Sequence, residues 1–373
     1  MPDAPARRHD LDAIRGITIL IVVVYHVFYM FNSSGLPSQV PNGYGIHALD
    51  VVAAFPYPWF MLVLFVVAGI SMRYALAHRT PRQFMGERVR KLIVPLIGGW
   101  ALLGWVIPLV QTRFPLPGSQ LPFAEKLFAM YIPIAMGVLW FLLVLFIASL
   151  VVLLFHAIDR HDRLYALAGR MPLWMLVLLV IPVWGSSMIL NAPMVTTFRF
   201  GIYIFGTLLG YIVFSHPDVT ARLKKAAIWL LGGAIVLGVL YAWTFWGQNW
   251  GDYPVLEQPL TNAYAWVAVL GILGGAARWL DRNGRFIDWL RTHSFPIYVV
   301  HYEFVALGAW LLVKFLGAPM PWSYLLLLVF VAVATFVFIE ITMRIPGLRF
   351  VLYGMGHPRQ KAPKPDSTAL PNP

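Results

Sequence analysis

The 373-residue chain contains no cysteine. That absence excludes disulfides, thiolate metal sites and cysteine nucleophiles together. Charge is scarce as well: Asp, Glu, Lys and Arg make up 12% of the residues. So few charges cannot coat a surface facing water on all sides, so the two or three soluble domains that length alone would suggest are excluded. There is no Walker motif, no dinucleotide fingerprint and no H-E-x-x-H or comparable spacing of metal ligands, so no metal site and no bound cofactor are expected. No period of 20–50 residues repeats, which removes solenoids, and no internal symmetry of the kind carried by inverted-repeat transporters is visible.

Apolar residues are abundant: 60% of the chain is hydrophobic and its mean hydropathy is +0.72. Lipid is therefore the solvent for most of the molecule. A helical crossing takes about 20 apolar residues, and that rule predicts an all-α polytopic protein with roughly ten spans, near 11–31, 55–77, 91–110, 137–157, 172–190, 198–214, 226–246, 259–279, 295–316 and 322–342. The fifth and sixth are joined by a short link through Asn191 and Pro193. Arg7 and Arg8 before an apolar run resemble the start of a secretory signal, but the run is long, carries Arg15 and His26, and lacks an A-x-A site after it; it reads as a retained first span. Residues 1–356 form one transmembrane domain, and the Pro-rich polar stretch 357–373 is expected to be a disordered cytoplasmic tail.

The net charge is +12. The basic residues make no compact patch with interleaved aromatics, so a nucleic-acid partner is not expected. They alternate instead. Arg8 before the first span, Arg79 to Lys91 after the second, Arg160 to Arg170 after the fourth, Arg222 to Lys225 after the sixth, Arg278 to Arg291 after the eighth and the C-terminal cations lie on one side. The other side holds Arg113, Lys126, Arg199 and Lys314. Positive residues stay on the cytoplasmic side, so both termini are placed inside. The uncharged outer loop Phe245 to Tyr253 is rich in aromatics and reads either as part of the headgroup belt or as a platform for sugar rings.

Ionisable groups within spans need a reason, because each costs free energy in hydrocarbon. Arg15 and His26 are eleven residues apart, which is three turns of helix plus about 20°, so they share a face with about 16 Å between them. Asp12, three residues before Arg15, is placed to pair with it. Taken singly, Arg15 reads as a snorkelling anchor and His26 as an interhelical hydrogen bond. As a pair they suit capture of a phosphate at the membrane edge and proton abstraction from a hydroxyl deeper in. In the ninth span Tyr298 and His301 share a face, while Glu303 is rotated away. The cluster Arg88-Val89-Arg90-Lys91 stands at the mouth of the third span, as positive-inside residues or as phosphate ligands beside Arg15. Trp140, Glu340, Arg199 and Asp50 are weaker candidates that read first as structural.

These residues resemble the membrane acyltransferase 3 family. Leu11-Asp12-x-x-Arg15-Gly16, with ten residues between Arg15 and His26, is similar to its R-x10-H hallmark. Phe65 to Ser71 resembles its second-helix F-x-x-S-G-x-S pattern with Ala68 in place of serine, and Arg88-x-x-Lys91 its R-x-x-R motif with lysine last. Leu139-Trp140-Phe141-Leu142, Ile204-Phe205-Gly206-x-x-Leu209-Gly210-Tyr211 and Ser294-Phe295-x-Ile297-Tyr298-x-x-His301 also fit. The match runs in order from about residue 8 to 355. Trp140 to Leu145 and the ending Ile339-Glu340-Ile341-x-x-Arg344-Ile345-Pro346 resemble the branch containing glucan biosynthesis protein C.

The resemblance implies a multi-pass protein of the bacterial inner membrane that takes acyl-CoA as co-substrate from the cytoplasm. It would pass an acetyl or succinyl group to a hydroxyl of an extracytoplasmic carbohydrate or glucan. Arg15 and His26 become the catalytic pair, Arg15, Arg88 and Lys91 the donor-binding set, and Asp12, Trp140, Tyr298 and His301 its support. Lysine at 91 lacks the guanidinium fork, which weakens that position as a bidentate phosphate ligand. The competing class is a transporter or flippase for a lipid-linked or free sugar, which would also use intramembrane Arg and His. A purely structural scaffold would leave the Arg15–His26 pair unexplained.

Overall fold

The computed structural model describes residues 8–40, 44–113, 122, 124–125, 131, 136–193, 197–282, 284–317 and 320–356. Arg7, Lys126 and the expected tail 357–373 lie outside the described residues. The chain is almost wholly helical. In order it forms α1 (His9–Met30), α2 (Asp50–Ala54), α3 (Phe60–Leu76), α4 (Pro81–Arg88), α5 (Val94–Leu102), α6 (Val106–Gln111), α7 (Trp140–Ile158), α8 (Arg163–Ala168), α9 (Leu173–Leu178) and α10 (Val180–Ser186). A short hairpin, β1 (Asn191–Pro193) and β2 (Thr197–Arg199), precedes α11 (Phe200–Leu209), α12 (Pro217–Thr244), α13 (Tyr253–Leu256), α14 (Pro259–Trp279), α15 (Arg285–Leu316), α16 (Pro321–Arg344) and α17 (Pro346–Tyr353). Neither strand was expected: they occupy the link through Asn191 and Pro193, where Asn191 pairs with Arg199.

Among the described residues, seven helical stretches are long and apolar enough to cross a membrane: His9–Met30, Pro81–Gln111, Gly137–Ile158, Pro217–Thr244, Pro259–Trp279, Arg285–Leu316 and Pro321–Arg344. The other three expected spans coincide with the shorter apolar helices Phe60–Leu76, Leu173–Ser186 and Phe200–Phe214. Their shortness has local causes. Pro172 and Pro182 flank and interrupt the fifth, and proline in a helix interior removes a backbone donor. The sixth ends in a π turn at Gly210–Phe214. The third expected span is also segmented, with a π turn at Val89–Ile93 between α4 and α5.

Burial sorts these helices. α3 and α14 lie at the centre, with α3 buried along most of Phe60 to Ile70. α12 and α16 face outward, leaving Trp229, Trp243, Leu325 and Val333 exposed, as expected for side chains against lipid. α1 packs along α15, and α3 crosses α11. That crossing explains two motifs together. A Cβ on Gly69 would stand 2.0 Å from the Thr207 carbonyl oxygen, and one on Gly210 would stand 2.1 Å from that of Val66. The glycines let two backbones touch, the usual use of small residues between membrane helices.

Candidate active site

Where α1, α3, α4 and α15 converge there is a cavity of about 570 Å³. α1 contributes Asp12, Arg15 and Ile19; α3 contributes Leu64, Ala68 and Ser71; α7 contributes Phe141, Leu142 and Leu145; α15 contributes Arg291, Ser294 and Tyr298. The π turn after α4 bends Arg88, Arg90 and Lys91 to its mouth, and α17 closes one side with Tyr353. Gly354, in the left-handed region at φ +63°, fits there because a Cβ would meet the Arg90 carbonyl oxygen at 2.2 Å. A second cleft adjoins through Arg79, Glu87 and Arg90.

The cavity is polarised. Its mouth gathers Arg15, Arg79, Arg88, Arg90, Lys91 and Arg291 around the two acids Asp12 and Glu87, and its interior is lined by Ile19, Leu64, Phe141, Leu142 and Leu145. Arg15 Nη1 donates to Asp12 Oδ1 at 3.5 Å and its Nη2 donates to Ser71 Oγ, which in turn donates to the Val67 carbonyl at 2.8 Å. The guanidinium is thus aimed, yet its side chain keeps 38% exposure into the cavity. Arg88 rests over the Phe84 ring at 4.8 Å and makes no ion pair among the described residues. Glu87 holds Arg79 at 3.4 Å and Lys91 at 3.9 Å. Arg79 and Arg291 were not singled out from the sequence, because in a linear reading they are ordinary positive-inside residues.

His26 lies further along the same helix. It is half-buried and sits against His301, with ring centroids 5.1 Å apart. His301 is fully buried. Its Nδ1 faces the carbonyls of Ile297 and Tyr298 at 3.0 and 2.9 Å, which only accept, so Nδ1 carries the proton and Nε2 is an acceptor. His26 Nδ1 stands 2.9 Å from the Val22 carbonyl and 3.1 Å from His301 Nε2. It therefore carries its own proton, shared between two acceptors. The network assigns the tautomer: the lone pair of His26 is left on Nε2.

Arg15, Asp12, Arg88, Lys91 and Tyr298 meet around one cavity, whereas His26, His301 and Trp140 are not among its lining residues. Between the two zones stands Tyr298, whose hydroxyl donates to the Val138 carbonyl and whose ring meets Phe141 at 5.4 Å. Trp140 stacks on Tyr203 at 5.6 Å. Above His26 the rings of Tyr25, Tyr29 and Tyr302 lie 4.9, 6.1 and 4.8 Å away. Of the weaker candidates, Asp50 accepts from the backbone and hydroxyl of Ser33 and from Ser34, tying down the end of α1. Glu340 faces His293 at 3.6 Å and Arg344 at 3.9 Å. Glu303 is 5% exposed, and its Oε2 has no partner.

A family model described as an acyltransferase domain matches residues 8–343. No curated protein and no solved structure matches the chain.

Proposed function

The chain belongs to the acyltransferase 3 family of membrane acyltransferases, and we propose that it draws acyl-CoA into the cation-rimmed cavity and passes the acyl group to a carbohydrate hydroxyl on the opposite side. The observation that carries this reading is the division of labour along α1: an exposed guanidinium at a cation-rich mouth and, about 16 Å deeper on the same face, an imidazole with a bare Nε2. CoA is long, anionic at one end and acylated at the other. Its phosphates suit Arg15, Arg88 and Lys91, with Arg79, Arg90 and Arg291 around them. Its pantetheine arm suits the apolar wall from Ile19 to Leu145. No flipping of the donor is needed, because its own length covers most of the distance.

At the deep end, His26 Nε2 takes the proton of an acceptor hydroxyl as the oxygen attacks the thioester carbonyl. The C–S bond breaks, and the thiolate of CoA leaves and takes the proton. In the two-step form, Nε2 itself attacks the thioester, the C–S bond breaks and CoA leaves as the thiolate; the hydroxyl then attacks the acyl-imidazolium, the N–C bond breaks to restore neutral His26, and the hydroxyl proton passes to the thiolate. Both forms use the same lone pair. His301 serves either by holding Nδ1–H of His26, and Tyr298 with Phe141 must shift for the thioester to reach it. The finer features of this reading are ten crossings with both termini on the cytoplasmic side, a bacterial inner-membrane location, and an acetyl or succinyl group delivered to a glucan. They follow from the charge alternation and the motif resemblance.

The test is turnover. Purified protein in lipid nanodiscs, given acetyl-CoA or succinyl-CoA with glucan oligosaccharides, should release free CoA and label the sugar. A sugar transporter or flippase would neither bind nor cleave CoA, and absence of both under these conditions refutes the assignment.

A further inference from the structure

The transfer chemistry leaves one buried cation unused. Arg199 begins α11 at the end of the bundle opposite the mouth and is 2% exposed. Its Nη2 donates to the Leu256 carbonyl at 3.2 Å and to Asn262 Oδ1 at 2.9 Å, both neutral. Its Nε has no partner, and among the described residues no carboxylate stands within ion-pair distance. Around it stand the neutral phenols of Tyr203, Tyr57 and Tyr241, and Glu257. Glu257 Oε1 is instead engaged by Asn191 at 3.3 Å. A guanidinium keeps its charge and offers five N–H donors; buried without an acid, it is short of both acceptors and negative charge.

One more buried polar group in the same region has no hydrogen-bond partner among the described residues, the Tyr241 hydroxyl, whereas the Trp250 indole N–H is directed at the Tyr25 hydroxyl. Tyr57 is the common neighbour. Its neutral phenol stands near Tyr241 and Arg199, and a Cβ on Gly251, beside Trp250, would lie 3.5 Å from its hydroxyl. Tyr57 stacks on Tyr25 at 5.6 Å, and Tyr25 meets the edge of His26 at 4.9 Å. Arg199 and Tyr241 therefore meet a phenol that lies two ring contacts from the imidazole. Buried donors normally find partners, and a cluster with an excess of N–H, O–H and positive charge fits a ligand group that is acceptor-rich and anionic.

We propose that Arg199, with Tyr241, receives a carboxylate borne by a substrate. The carboxylate comes either from the far end of a dicarboxylic acyl chain or from an acidic group of the acceptor. This rests on the acyltransferase reading and names what the enzyme would select. The competing role is structural, with Arg199 pinning the β1–β2 hairpin to the α13–α14 turn through Leu256 and Asn262.

The experiment compares the full chain with Arg199→Gln and Arg199→Lys. Each is given succinyl-CoA or acetyl-CoA as donor and a neutral or a uronic-acid-containing oligosaccharide as acceptor. If the acyl chain supplies the anion, the succinyl-to-acetyl ratio of kcat/KM falls roughly tenfold or more in Arg199→Gln, Lys restores part of it, and the acceptor ratio stays constant. If the acceptor supplies it, the acidic-to-neutral ratio falls and the donor ratio stays constant. Equal losses for every pair, or unchanged ratios, overturn the proposal in favour of the structural role. A turnover-free readout accompanies it: succinate should raise the thermal midpoint of the wild-type protein more than neutral succinamide does, and this difference should vanish in Arg199→Gln. A protein that cleaves no acyl-CoA but shows this Arg199-dependent difference would sink the acyltransferase reading and keep the receptor; a wild type indifferent to succinate would sink the receptor alone.

Discussion

Arg15 and His26 were legible as a pair because helical periodicity alone places residues eleven apart on one face. What each touches was not legible, since partners come from other helices. Ser71 orients Arg15 and His301 fixes the proton of His26, and neither spacing exists in the linear chain. Two substitutions test these partners. His301→Ala removes one of the two acceptors of the His26 Nδ1 proton, leaves the Val22 carbonyl to hold the tautomer, and loosens the orientation of the ring, so it should lower kcat by about 10–10²-fold with little change in KM. His301→Gln, whose Oε1 can accept the same N–H, should restore most of it. Equal activity of wild type and His301→Ala would remove the positioning role. Arg15→Lys exchanges a planar fork for a point charge and should weaken CoA binding about tenfold by titration calorimetry. Unchanged affinity would make Arg15 an anchor only.

At the scale of elements, apolar runs and prolines told where helices lie but not how they cross. The motif glycines Gly69 and Gly210 illustrate the gap. In sequence they are two weak motifs about 140 residues apart; in the fold they are one contact between α3 and α11. Gly69→Ala should cost about 1–3 kcal/mol or more in unfolding free energy, whereas Gly86→Ala, with open space around it, should leave the thermal midpoint unchanged. Arg73, in the last turn of α3, belongs to no motif in the sequence. It forks onto Asp162 with two bonds of 2.8 Å and lies 3.8 Å over Tyr165, holding the end of α3 to the loop before α8. The hydrogen bonds from Arg73 keep the Asp162 carboxyl below its usual range. Its stabilising contribution is therefore complete above about pH 4, the ordinary Asp value, and is lost as pH falls further. Thermal unfolding followed from pH 6 to 3 should show wild type losing more stability than Asp162→Asn across the acidic end; parallel curves would contradict the linkage.

For the whole molecule, composition identified a lipid-embedded helical protein, and the seven long apolar helices agree with it. The three short helices are where counting from sequence is weakest, because hydropathy marks an apolar run without fixing how much of it is helical, as the proline-interrupted fifth span shows. The absence of cysteine makes the topology directly measurable: single cysteines placed at Thr80, Asp159 and Asp281 should be shielded from an impermeant thiol reagent in intact cells, and one at Gln248 should be labelled. The central claim, however, is that the bare Nε2 of His26 performs the transfer. The most direct measurement is single-turnover release of CoA from bound acyl-CoA by wild type and His26→Ala, with folding of both checked by thermal unfolding. Loss of release by about 10²-fold or more in the folded variant is the predicted result; a folded His26→Ala protein that releases CoA at the wild-type rate would contradict the account.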